Sequence, residues 1–79
     1  MKVLVYSTPT CPYCHKAKDY LKEKGVEFED INVAEDSEKA EEMQKKSGQL
    51  GVPVLDIGGE ILVGFDKTQI DEALEKAKK

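Results

Sequence analysis

The apolar pattern of this chain predicts an α/β domain: a mixed four-stranded sheet with helices on both faces. Apolar periodicity alternates between strand and helix spacing, in the order strand, helix, strand, helix, strand, strand, helix. Gly58-Gly59 separates two short apolar runs, as a two-residue hairpin turn requires. The chain has 79 residues, which accommodates one domain over residues 1–79.

The elements follow in order. Lys2 to Ser7 carries consecutive apolar residues and reads as a strand buried on both faces. Thr8-Pro9-Thr10 is a loop. From Pro12 to about Lys24 the pattern is helical, with Cys14, Ala17 and Leu21 on one face. Pro12 suits the first turn, where its missing N–H costs nothing, and Gly25 suits the end. Val26 to Ile31 opens with alternation, Val26 and Phe28 against Glu27 and Glu29, as in an edge strand with one wet face. Asp36 or Ser37 can cap a second helix to about Ser47, with Ala40 and Met43 inward and Gly48 ending it. Pro53 to Ile57 and Glu60 to Val63 form the hairpin. Asp66 is a candidate N-cap for the last helix, and Gln69 can complete a capping box. Phe65 and Ile70 stand where a hydrophobic staple pairs them, ahead of the stripe Ile70, Ala73, Leu74 and Ala77. The two strands flanking the first helix should be parallel, joined by a right-handed crossover.

Composition narrows the function. Net charge is -4, and all 12 basic residues are lysine. Nucleic-acid readers show a basic stripe and use Arg forks, so nucleic acid is not expected as a partner. Without Arg, a carboxylate ligand must be held by Lys, backbone N–H groups or helix ends. The apolar run Val3 to Tyr6 is too short for a signal or a membrane span, so no membrane association and a cytoplasmic location are expected. A monomer is expected.

The two cysteines, Cys11 and Cys14, lie three positions apart. A disulfide across so short a loop restrains the unfolded chain very little, so it makes a poor staple. A structural zinc site usually needs four ligands, and the chain offers only these thiols and His15 as Cys or His donors. Redox chemistry, or a cluster shared with other ligands, remains. Cys11 sits at the junction between strand, loop and helix. Helix N-termini present unpaired N–H groups and partial positive charge, which favour a thiolate, the nucleophile of disulfide exchange. Cys14, one turn on and on the same side, is placed to attack a mixed disulfide formed at Cys11. His15, Lys16 and Lys18 add positive charge nearby but read as ordinary solvated side chains.

The run Cys11-Pro12-Tyr13-Cys14 after a strand resembles the dithiol glutaredoxin active site. Gly51-Val52-Pro53 is similar to that family's Thr-Val-Pro segment, and Val63-Gly64-Phe65-Asp66 lies where the family has Gly-Gly before the acidic start of its last helix. The resemblance spans essentially the whole chain and implies the thioredoxin fold in its short glutaredoxin form. It implies that Cys11 attacks and Cys14 resolves, that Tyr13 flanks the substrate groove, and that Val52 presents its backbone to an extended substrate. It implies a cis Pro53 beside the cysteine pair. Asp66 and the N–H groups opening the last helix would meet the γ-glutamyl end of glutathione, and Gly64 and Phe65 would also bind substrate. No permanently bound cofactor is implied; glutathione would be a co-substrate.

The family commonly carries Lys three residues before the first cysteine, where this chain has Thr8. Val63 replaces a glycine, and Lys67 stands where a second Asp is frequent. Gly64-Phe65 also resembles redoxins that serve ribonucleotide reductase and are reduced by thioredoxin reductase. The implied activity is reduction of protein or glutathione mixed disulfides. The electron donor, glutathione or thioredoxin reductase, stays open, and an iron–sulfur cluster carrier is a third reading.

Overall fold

The structure is a computed structural model that describes residues 2–49 and 51–78, the side chain of residue 78 excepted. Its elements are β1 (Val3–Ser7), α1 (Pro12–Glu23), β2 (Glu29–Asn32), α2 (Ser37–Ser47), β3 (Val54–Ile57), β4 (Glu60–Val63) and α3 (Lys67–Lys78). The sheet order is β2-β1-β3-β4, with β1 and β2 parallel and the other two pairs antiparallel. This is the mixed four-stranded sheet with helices on both faces that the apolar pattern predicts.

Two cores form because β1 and β3 alternate their side chains between faces. On one face Val3, Val5, Leu55, Ile57 and Leu62 pack against Ala17 and Leu21 of α1 and Ile70, Ala73 and Leu74 of α3. On the other face Tyr6, Ile31 and Val54 pack against Met43 of α2. The register explains the match: Val5 faces Leu55 and Tyr6 faces Val54 across the β1–β3 ladder. Ala40, expected inward on α2, is only half-buried.

Three strands begin later than the sequence suggests, β1 by one residue, at Val3. β2 covers Glu29–Asn32, not Val26 to Ile31. The cause is the end of α1: Gly25 takes φ 73°, its N–H bonds Lys22 O at 3.0 Å, and the Val26 N–H bonds Leu21 O at 2.9 Å. That pair of bonds is a Schellman cap, and it consumes the Val26 N–H. Val26 and Phe28 therefore pack against the α1–α3 core from the connection, not from the sheet. β3 begins at Val54, since Pro53 has no N–H to offer the ladder.

The remaining ends follow local chemistry. Asp36 Oδ1 accepts from the Lys39 N–H at 3.1 Å, and Gly48 closes α2 at φ 77°. Gly58 and Gly59 both take positive φ, as a type I′ hairpin requires, and Asp56 Oδ1 accepts from the Gly59 N–H at 3.0 Å. Asp66 Oδ1 accepts from the N–H groups of Thr68 at 2.9 Å and Gln69 at 3.3 Å. Only the Asp66 half of the expected capping box forms among the described residues. Phe65 packs against the core cluster that contains the fully buried Ile70.

Candidate active site

The register brings three segments to one end of the sheet. Tyr6 of β1 lies opposite Val54 of β3, which lies opposite Val63 of β4. The residues just past that row are therefore neighbours: the loop from Thr8 to Cys11, the Val52-Pro53 pair, and Gly64 to Asp66. The Gly64 N–H donates to Pro53 O at 2.9 Å and ties two of them together. The Val52-Pro53 peptide is cis, Pro53 is buried and Val52 half-buried. Gly64 takes φ 84°, a backbone conformation that favours glycine.

Cys11 is the N-cap of α1, with extended backbone. Its sulfur accepts the Cys14 N–H at 3.2 Å, and its carbonyl accepts the His15 N–H at 3.3 Å. Its own N–H reaches back to Thr8 O at 3.3 Å, which folds the loop against the helix start. The sulfur thus takes up one of the otherwise unpaired N–H groups of the helix start. Cys11 is half-buried and Cys14 has no exposed surface; both are free thiols. Burial and the hydrogen bond to Cys11 push the Cys14 thiol up to about 11, against the opposing pull of the Thr8 backbone N–H and the charge of Lys18. One thiol is thus presented at the surface and its partner is kept protonated beneath.

Tyr13 is 59% exposed, and Lys16 Nζ stands 5.1 Å from its ring centroid. Phe65 is half-buried and meets Tyr20 edge-on, with ring centroids 6.1 Å apart. Asp66 is exposed and spends one carboxylate oxygen capping α3. His15 is exposed, yet its Nε2 lies 3.1 Å from Pro9 O, which can only accept, so the ring donates there and braces the loop.

Lys18 corrects the sequence reading. It is not a solvated lysine: its side chain is 15% exposed, and Nζ donates to Asp30 Oδ2 at 3.0 Å. The buried Ser7 hydroxyl donates to Asp30 Oδ1 at 2.7 Å. Burial opposes ionisation of Asp30. The bonds from Ser7 and Lys18 and the charges of Lys18 and His15 outweigh it and hold the carboxyl below its usual range. The available signal was helical spacing, since Lys18 follows Cys14 by four residues on the edge of the buried face.

Among the described residues no three His, Cys, Asp or Glu side chains converge as metal ligands, and no helix is long and apolar enough to cross a membrane.

A half-buried thiol capping a helix N-terminus and a buried thiol one turn inside, at the end of this mixed sheet, define a thiol–disulfide oxidoreductase. The glutaredoxin family model matches residues 3–62. A glutaredoxin-like 8.6 kDa protein in the rubredoxin operon of Clostridium pasteurianum is 54% identical over 74 residues, covering 94% of this chain and 99% of that protein. Glutaredoxin 3 of Escherichia coli is 42% identical over 64 residues, covering 81% of this chain and 77% of that protein. The NrdH-redoxin of Escherichia coli, a glutaredoxin-like protein with a thioredoxin-like activity profile, superposes with TM-score 0.83 at 29% identity, over 91% of this chain and 93% of that one. The chain belongs to the glutaredoxin family.

Proposed function

We propose that the chain reduces disulfides of proteins, or their mixed disulfides with glutathione, through a two-cysteine cycle. The Cys11 thiolate attacks the substrate disulfide; one sulfur leaves as thiol, and the other stays bonded to Cys11. Cys14 then gives up its proton, attacks Cys11, and releases the second sulfur. The protein ends as the Cys11–Cys14 disulfide, two electrons poorer. The observation that carries this reading is the division between the two thiols: Cys11 half-buried and fed by a helix N–H, Cys14 sealed beneath it.

On this reading Tyr13, Val52, Pro53, Gly64, Phe65 and Asp66 line the substrate groove. Val52 offers its backbone to an extended peptide, and the N–H groups opening α3 attract a carboxylate. The electrons come from glutathione or from thioredoxin reductase, and a cytoplasmic location suits either supply.

Thioredoxin reductase is a specific second reading for the donor. Thr8, Val63 and Lys67 each remove a feature the family uses toward glutathione, and the structural neighbour NrdH-redoxin has a thioredoxin-like activity profile. The test is NADPH consumption with a small disulfide in two coupled systems, one with glutathione and glutathione reductase, the other with thioredoxin reductase. Cys11→Ser is expected to lose all turnover in both, and residual exchange would sink the two-cysteine cycle. Cys14→Ser is expected to keep only the removal of glutathione from proteins, and only if glutathione is the donor.

A further inference from the structure

A polar group joins β1, α1 and β2: Ser7 and most of the Lys18 side chain are covered, and Asp30, with its side chain 48% exposed, stands at the rim. Ser7 is 2% exposed and is the one buried polar residue of the described core. It stands at the end of β1, on the face that α1 covers. Its hydroxyl and the Lys18 ammonium occupy different oxygens of the Asp30 carboxylate, at 2.7 Å and 3.0 Å. The carboxylate is thereby oriented, and the ammonium is held in place at the end of its long stem.

Helical geometry sets the stem of that lysine beside the turn that carries Cys14. Lys18 follows Cys14 by four residues, so both lie on one face of α1. Helical side chains tilt toward the N-terminus, so Lys18 leans back over the turn that carries Cys14. An exposed lysine would not need Asp30 and Ser7 to hold it; a lysine with its side chain 15% exposed does.

We propose that Lys18, anchored by Asp30 and Ser7, is a positioning residue for the second half of the cycle, holding a positive charge beside the Cys14 sulfur as that sulfur loses its proton and attacks. The inference rests on the two-cysteine reading above. In this step the Cys14 proton goes to solvent. The sulfur's electron pair forms the Cys14–Cys11 bond, the bond from Cys11 to the substrate sulfur breaks, and that sulfur departs with its electron pair. Negative charge thus appears on a sulfur that burial disfavours. The Thr8 backbone N–H and the Lys18 charge are the two influences that favour it, and Cys11 and burial oppose it. Lys18 and His15 on α1, Cys11 in the loop and Asp30 on β2 are the charged or titratable groups of this region. Once Cys11 is in a mixed disulfide its opposing influence is removed, and Lys18 is the one full positive charge among the influences that favour the Cys14 thiolate.

The test uses a symmetrical aromatic disulfide whose thiolate is coloured, mixed rapidly with the reduced full-length protein. The first thiolate is released when Cys11 attacks, and the second when Cys14 closes the ring. Lys18→Met keeps the stem and removes the charge. It is expected to leave the first release within about twofold, and to slow the second roughly three- to tenfold at neutral pH. The pH profile of the second release should move upward by at most about one pH unit, the equivalent of tenfold. Lys18→Arg keeps the charge on Asp30 and is expected to restore the second release to within about twofold. If Lys18→Met does not fold, Lys18→Gln carries the same measurement. A second release with unchanged rate and pH profile overturns the proposal, as does equal slowing of both releases, which marks a merely structural brace. Absence of any second release from the parent protein overturns the two-cysteine cycle itself.

Discussion

At the scale of single residues, the fold treats two identical side chains differently. Cys11 receives a helix N–H while remaining half-exposed; Cys14, on the buried face of α1, has no exposed surface and its thiol is pushed up to about 11. In the cycle proposed above, that asymmetry lets the exposed thiol meet substrate while the hidden one waits. The core residues are as sharply placed. Leu21 has no exposed surface and fills the space between α1 and the sheet. Leu21→Ala is expected to cost about 2–5 kcal/mol, a large share of the roughly 5–15 kcal/mol a small domain commands. Urea unfolding followed by circular dichroism reads this as a lowered midpoint. A loss under about 1 kcal/mol would mean the site refills.

At the scale of elements, helix ends decide where strands can begin. The Schellman cap of α1 takes the Val26 N–H, so β2 waits until Glu29. α2 is strongly charged and buries only Met43 fully, so it leans on its caps more than its neighbours do. Asp36→Ala is expected to destabilise the protein by about 0.5–2 kcal/mol, with Asp36→Asn close to the parent. Hydrogen exchange along α2 measures this locally; unchanged protection in its first turn would show the cap to be idle. α2 is also held by a polar chain: Lys46 Nζ donates to Tyr6 Oη and to Asp56 Oδ2, each at 2.9 Å, and Tyr6 Oη donates to Glu42 at 3.0 Å. That chain ties α2 to β1 and β3, close to the point where the chain turns toward Val52 and Pro53.

At the scale of the whole molecule, carboxylates tie separate elements together. Asp30 links β2 to β1 and α1, Glu42 links α2 to β1, and Asp71 of α3 takes the Tyr20 hydroxyl at 2.6 Å and Lys24 at 3.1 Å. In each case the net effect holds the carboxyl below its usual range. Burial works against Asp30, whose bonds from Ser7 and Lys18 and charges of Lys18 and His15 prevail; the Tyr6 bond leads for Glu42 and the Tyr20 bond for Asp71. A carboxyl held low in the folded state contributes stability above its unfolded value, and loses it as pH falls through the folded one. Stability should therefore hold near neutrality and decline below about pH 4, where the unfolded carboxyls begin to bind protons. Thermal melts between neutral pH and pH 3 measure it. A melting temperature flat across that range would show these links to be unimportant.

The fold and the cysteine pair were legible in the residues because their causes are local. Apolar spacing marks α1 and α3, Gly58-Gly59 marks the hairpin, and Asp36 and Gly48 mark the ends of α2; each acts within a turn or two of the chain. Cys11 at the start of a helix is equally local. What tertiary structure decided lies between segments distant in sequence. The register of β1, β3 and β4 set Pro53 and Gly64 beside the cysteine loop, since strand pairing is fixed by which faces are buried. The burial of Lys18 depends on Asp30 and Ser7, 12 and 11 residues away along the chain, and no helical pattern reveals a partner on another strand. Local propensity and capping act through neighbouring residues and can be read from them; the environment of a charge is set by what folds over it.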